Sequence, residues 1–255
     1  MKVVVIGGTG LIGSTVVTRL GEHGHEAVAA APSTGVDTIT GEGLAAVLAG
    51  ADVLVDVSNS PSFADADVLE FFRTATTNLV AAARGAGVGH YVALSVVGAE
   101  RAPESGYLRA KVVQEGLIRE SGLRHSLVHA TQFFEFAGGI ADSATADGVV
   151  TLPDGGVQPV AAADVAGAVA RTAVGTPLDG SVEIGGPEVF GMDGWIRTVL
   201  TARHDPRTVV TDPAARYFGT PLEAGTLLPG PGALIGETRL ADWLTRTTRR
   251  DRRVP

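Results

Sequence analysis

Apolar positions along the first half of the chain follow two different periods. Short β-branched runs at Lys2 to Ile6, Glu26 to Ala31, Val53 to Val57, His90 to Val97 and Arg124 to His129 predict strands. Between them, Leu11 to Gly21, Leu44 to Ala49, Asp67 to Ala86 and Tyr107 to Ser121 read as helices. This alternation gives an α/β fold, a doubly wound parallel sheet covered by helices on both faces. The opening run Val3-Val4-Val5-Ile6 reads as a buried strand, with no signal peptide before it.

The second half is less regular. Asp164 is placed to cap a helix from Val165 to Val174, Ser181 to Ile184 reads as a strand, and Asp193 is placed to cap Gly194 to Arg203. A Pro- and Gly-rich segment including Leu228-Pro229-Gly230-Pro231-Gly232 then precedes a last helix from about Leu240 to Arg246. Residues 1–175 are read as a dinucleotide-binding core, and 176–255 as a smaller C-terminal, substrate-binding portion packed on the same domain.

Composition narrows the function. The chain has 255 residues, 45% of them hydrophobic, enough for a sizeable core. Its 28 acidic and 20 basic residues give a formal charge of −8, which repels a phosphate backbone and argues against nucleic acid as a partner. There is no cysteine to form a disulfide or a thiolate metal site. No apolar run reaches the roughly 18 residues of a membrane span, so no membrane partner and a cytoplasmic location are expected.

Gly7-Gly8-Thr9-Gly10-Leu11-Ile12-Gly13 follows the first strand and opens the first helix. Gly7, Gly10 and Gly13 give the spacing GxxGxxG, which lets backbone N–H groups approach a pyrophosphate at the positive end of a helix. Thr9, Leu11 and Ile12 belong to the same turn, and the reading is a dinucleotide site. An NAD-preferring site carries an acid at the end of the second strand, about 20 residues beyond the glycines. Here that strand runs into Ala31-Pro32-Ser33-Thr34, and the first acid is Asp37. NADP(H) is therefore favoured over NAD(H), with Ser33 and Thr34 as hydroxyl donors to the 2′-phosphate.

Only two lysines, Lys2 and Lys111, stand among twenty basic residues, and there are only three tyrosines. Tyr107 and Lys111 lie four apart on one helix, and chance alone yields about 0.02 such pairs in a chain of this composition. A free tyrosine has a pKa of about 10, and a neighbouring ammonium would lower it toward useful proton donation. Ser95 closes the strand Tyr91-Val92-Ala93-Leu94-Ser95 at the edge where open α/β sheets bind ligands. The three residue types make a ketone-reducing site.

With these motifs the chain resembles the short-chain dehydrogenase/reductase superfamily, in its atypical NmrA-like branch. The segments that carry the likeness are VVVIGGTGLIGS at 3–14, VDVSNSPSF at 55–63, HYVALSVVG at 90–98, SGYLRAK at 105–111 and ATQFFEF at 130–136. QPVAAADVAGAVA at 158–170 extends it weakly, so that it spans about two-thirds of the chain. The resemblance implies a Rossmann fold and an NAD(P)H-dependent enzyme. Ser95 would orient a substrate carbonyl, Tyr107 would act as general acid, and Lys111 would tune Tyr107 and bind the ribose. Ser58, Asn59 and Ser60 match a segment lining the cofactor, while Val96, Gln132, Phe133 and His129 fall on the substrate side.

The expected activity is reduction of a ketone or quinone on an apolar or aromatic small molecule by a monomer or homodimer. A silent NADP(H)-sensing regulator and an NAD-dependent epimerase or isomerase are the alternatives. The Ser95-to-Tyr107 interval of twelve residues is short for the superfamily. The six histidines lack metal-ligand spacing, so no metal is expected. Asp65 and Asp67 read as acids favoured at a helix start, His129 as a partly buried histidine with a backbone partner, and the basic tail from Arg246 to Arg253 as a solvated terminus.

Overall fold

The computed structural model describes residues 1–251, with side chains as far as Thr247; the arginines at the end of the basic tail lie outside that description. Seven parallel strands form the central sheet: β1 (Lys2–Ile6), β2 (Glu26–Ala30), β3 (Val53–Asp56), β4 (His90–Val96), β5 (His125–Ala130), β6 (Gly180–Gly185) and β7 (Leu234–Ile235). Their order across the sheet is β7-β6-β5-β4-β3-β1-β2. The order reverses at β1, which lies between β2 and β3, and that reversal opens a crevice at the carboxyl ends of β1 and β3.

The helices are α1 (Leu11–Glu22), α2 (Leu44–Leu48), α3 (Asp65–Ala86), α4 (Gly106–Glu120), α5 (Ala137–Ser143), α6 (Ala162–Val174), α7 (Met192–Ala202) and α8 (Leu240–Asp251). Strand side chains alternate between two buried layers. Val3, Val5, Val53, Val55, Val92 and Val128 pack with α1 and α6, while Val4, Ile6, Leu54, Tyr91, Ala93 and Leu127 pack on the side of α2, α3 and α4. Burial on both faces is why these strands read as unbroken apolar runs.

A second core is built on Trp195, with Phe134, Ile140, Leu152, Tyr217 and Trp243 around it. It draws on residues from both sides of position 175, because α5 and the strand Val149–Leu152 join α7 and α8 while α6 returns to the sheet. Strand β6, beyond residue 175, belongs to the main sheet. Packing thus divides the chain differently from sequence position. Two expected caps are also corrected. Gly191 precedes α7 and Ala161 precedes α6, while the carboxylates of Asp193 and Asp164 reach across to Thr211 and Thr238 instead. No helix among the described residues is long and apolar enough to cross a membrane.

Candidate functional site

The glycine turn sits in the crevice. Gly7 has φ +76, a left-handed conformation that L side chains resist, and a Cβ there would stand 2.9 Å from the Val57 carbonyl oxygen. A Cβ on Gly13 would collide with the Gly7 carbonyl, and one on Gly8 would lie 2.7 Å from Ala29 Cα. Gly8, the residue inside the spacing, is therefore required by the approach of β2. Gly10 differs from all three. A Cβ there would meet only the Gly7 oxygen, at 3.3 Å, and Thr9, Gly10 and Leu11 are exposed.

Helix α1 begins at Gly10 with no side-chain cap and no acid in its first turn. Among the described residues nothing accepts from the Leu11 and Ile12 N–H groups, and they point out of a helix start whose dipole favours an anion. The donor set and the space at Gly10 fit a pyrophosphate. At the end of β2 the outcome is mixed. Ser33 is exposed, but the Thr34 hydroxyl is spent on its own turn, donating to Ala31 O and accepting from Ala31 N, both at 2.9 Å. The Asp37 carboxylate accepts from Ile39 N at 2.7 Å and turns into its own loop.

The other edge of the crevice is α4, capped by Ser105, whose hydroxyl accepts from Leu108 N. Tyr107 stands at its start and donates to Asn59 Oδ1 at 3.2 Å, while Phe63 packs against the phenol with ring centroids 5.6 Å apart. Asn59 Oδ1 also accepts from Ser60 N. Burial pushes Tyr107 up to about 12. Lys111, one turn further, is 2% exposed and turned into the protein. Its ammonium donates to Leu94 O at 2.8 Å and to Gln114 Oε1, over the ring of Phe72 at 4.3 Å. Burial lowers its pKa to about 8, against the pull of Asp56 and Glu115. In this arrangement burial sets the direction of the Tyr107 shift, and the Lys111 ammonium is engaged by Leu94 O and Gln114.

Ser95 is also directed elsewhere. It is 3% exposed and its hydroxyl donates to Glu115 Oε1 at 2.5 Å, on α4 two turns beyond Tyr107. His129 Nε2 lies 3.1 Å from the same oxygen, and Arg119 reaches Glu115 Oε2 at 2.7 Å. Burial disfavours the Glu115 charge, yet His129, Ser95 and Arg119 outweigh it and hold the carboxyl at about 2. His129 therefore faces a carboxylate, where a backbone partner was expected.

A companion network joins β3 to α4. Asp56 accepts from Ser58 N at 3.0 Å, Ser58 Oγ at 2.6 Å, Gln114 Nε2 at 2.9 Å and Tyr91 OH at 3.3 Å. Ser58 is thus engaged through both its N–H and its hydroxyl. Asp56, Gln114 and Glu115 were not singled out from sequence, although a lone acid closing an apolar strand and the Lys111-to-Glu115 spacing were visible signals. Tyr217 left no signal at all. It lies in an irregular segment far along the chain, yet it is buried beside Gln132 and within electrostatic reach of Tyr107.

These features define a Rossmann-fold protein. Its architecture is that solved in several NAD-bound enzymes of nucleotide-sugar chemistry, and at this level the likeness seen in the motifs holds. UDP-glucose 4-epimerase of Thermus thermophilus, in complex with NAD, matches with a TM-score of 0.76 and 18% identity, covering 100% of both chains. MoeE5 with UDP-glucose and NAD matches at 0.75 and 19% identity over 98% of this chain and 99% of that one. A double mutant of DesIV, the dTDP-glucose 4,6-dehydratase of Streptomyces venezuelae with NAD bound, matches at 0.75 and 19% identity over 100% and 98%.

No family model matches the chain. The photosystem II assembly factor Ycf39 of Cyanophora paradoxa is 26% identical over 149 residues, 53% of this chain and 46% of Ycf39. The match spans about half the length of that relative.

Proposed function

We propose that this chain is an NAD(P)-dependent oxidoreductase in which Tyr107 is the acid–base group, acting on a ketone or quinone of a hydrophobic small molecule. The observation that carries the reading is the glycine turn, open only at Gly10, on the same sheet edge as the Tyr107 phenol. The dinucleotide, when bound, supplies the hydride. The Leu11 and Ile12 N–H groups would hold its pyrophosphate, and Ser58, Asn59 and Ser60 would flank it. NADP(H) is favoured because β2 runs into Ala31, Pro32 and Ser33 where an NAD site carries a carboxylate, with Ser33 as the remaining hydroxyl at the 2′ position.

Proton delivery from Tyr107 Oη requires a change of partners. The phenol must leave Asn59 Oδ1, and the Lys111 ammonium must exchange Gln114 or Leu94 O for the phenol so that its charge opposes burial. Asn59, once free, can accept or donate at the substrate oxygen, a task that Ser95 does not perform while it is tied to Glu115.

The same engaged contacts favour a second reading, a dinucleotide-responsive protein without catalysis. The NAD-bound epimerases among the fold neighbours support a third, an epimerase with resident NAD. Tyr107→Phe separates them. Oxidation of NADPH or NADH by a quinone should fall at least about a hundredfold while dinucleotide affinity stays within about twofold. Unchanged turnover would remove Tyr107 from the mechanism. Dinucleotide binding without any hydride transfer by the unmodified protein would establish the silent reading, and NAD retained through purification would establish the epimerase.

A further inference from the structure

The Lys111 ammonium is surrounded by partners of its own. Leu94 O at 2.8 Å and Gln114 Oε1 accept from it, and the face of Phe72 lies 4.3 Å away. That arrangement satisfies the charge without the Tyr107 phenol. Phe72 also stands edge-on to Tyr107 with ring centroids 6.0 Å apart, so one ring touches both side chains while their polar ends face different partners.

Gln114 lies three residues beyond Lys111 on α4, which puts the two on one face, and it is buried. Its amide sits between opposite charges: Oε1 accepts from the ammonium, and Nε2 donates to Asp56 Oδ2 at 2.9 Å. Reversing the amide would set N–H groups against the ammonium and a carbonyl oxygen against the carboxylate. Asp56 therefore fixes which way Gln114 points. Asp56 is buried in turn, and Ser58 N, Ser58 Oγ and Tyr91 OH donate to it. The other carboxylate near Lys111, that of Glu115, is taken up by Ser95, His129 and Arg119.

The turn that follows Asp56 restrains Tyr107 as well. Asn59, three residues further on, accepts from the phenol at 3.2 Å. This turn packs on the glycine loop, where a Cβ on Gly7 would stand 2.9 Å from Val57 O and 3.0 Å from Ser58 Cα. One short segment thus restrains both side chains and borders the open N–H groups of the crevice.

We infer that Gln114, anchored by Asp56, is a positioning residue that withholds the Lys111 ammonium from the Tyr107 phenol and from an anionic ligand in the crevice. Loosening this hold turns the ammonium outward. The inference rests on the oxidoreductase reading for its consequence in catalysis, but the hold itself belongs to the unliganded chain.

The first measurement uses that chain in full. Lys2 and Lys111 are its only lysines, so acetylation by acetic anhydride, located by mass spectrometry, reports on Lys111 with Lys2 as internal reference. Gln114→Leu should raise the relative Lys111 rate at least about tenfold, and Asp56→Asn, which removes the charge behind the amide, should raise it less. Tyr91→Phe takes a different donor from Asp56 and leaves Gln114 in place, so it should not change the rate. The second measurement is binding of NADPH, followed by its own fluorescence. Gln114→Leu should bind it about fivefold tighter than the unmodified protein, because the ammonium no longer has to be drawn from its hold. Adding Lys111→Met should erase that gain. Looser packing by itself does not tighten binding. An unchanged Lys111 rate in Gln114→Leu, an equal rise in Tyr91→Phe, or NADPH bound no more tightly by Gln114→Leu than by the unmodified protein would overturn the inference. Faster Lys111 acetylation in Gln114→Leu alone, with NADPH bound by no variant, supports the hold and counts against the oxidoreductase reading instead.

Discussion

The two edges of the crevice are built on opposite plans. At the glycine turn every tight contact is internal and the outward donors are left open: Gly7, Gly8 and Gly13 pack against backbone, and Gly10 faces space. On the face of α4 the reverse holds. Tyr107, Lys111, Gln114 and Glu115 all spend their polar groups on other parts of the chain. A binding edge can be preformed, because open N–H groups at a helix start still meet water. Buried acid–base groups cannot wait unpaired without a large cost, so they hold internal partners until something displaces them.

The sharpest way to break this comparison lies within the turn. Gly13→Ala forces backbone apart and should destabilise the fold by about 3 kcal/mol and abolish dinucleotide binding. Gly10→Ala meets only one atom at 3.3 Å, so its melting temperature should barely move while dinucleotide affinity still drops more than about tenfold. If Gly10→Ala bound dinucleotide normally, the open side of the turn would not be the cofactor side.

The α4 edge can be read by pH. Burial lowers Lys111 from 10.5 to about 8, so between those values the unfolded chain holds a proton that the folded chain has released. Stability relative to Lys111→Met should therefore rise by roughly 3 kcal/mol across that window, as urea unfolding at successive pH values would measure. A flat difference would mean that the ammonium is not buried as described. Glu115 acts at the other end. Held at about 2, it contributes stability that is present above its ordinary 4.5 and lost as pH falls toward 2.

The smallest effect concerns the loop over Tyr107. Asp65 packs against Gly106 at the start of α4 and pairs with Arg109, both side chains being well exposed. Arg109→Ala should cost no more than about 0.5 kcal/mol. Amide exchange at residues 59–64 should nevertheless quicken, because one of the contacts that keep Phe63 on Tyr107 is gone.

Much of the fold was legible because its signals are local. The strand Lys2–Ile6 and the helix that follows Gly10 are encoded by a β-branched run, a turn that only glycine tolerates and a Leu- and Val-rich stretch in direct succession. The C-terminal half was harder. Strand Val149–Leu152 and its parallel partner Thr208–Thr211 are nearly sixty residues apart, and no neighbouring pattern announces that pairing. The caps assigned to Asp164 and Asp193 failed for a related reason: their carboxylates found partners at Thr238 and Thr211, which a reading of adjacent residues does not see.

What the sequence determined by itself is the parallel sheet, the position of the glycine turn and the presence of Tyr107 and Lys111 on one helix, since spacing within an element fixes which residues share a face. Tertiary structure alone decided where those side chains go. Whether Lys111 faces the Tyr107 phenol or the Leu94 carbonyl, whether Ser95 faces a substrate or Glu115, and that Tyr217 stands beside Gln132 all depend on which buried group offers a partner. That choice is made by elements far apart in the chain, where the cost of an unpaired polar group outweighs any local preference.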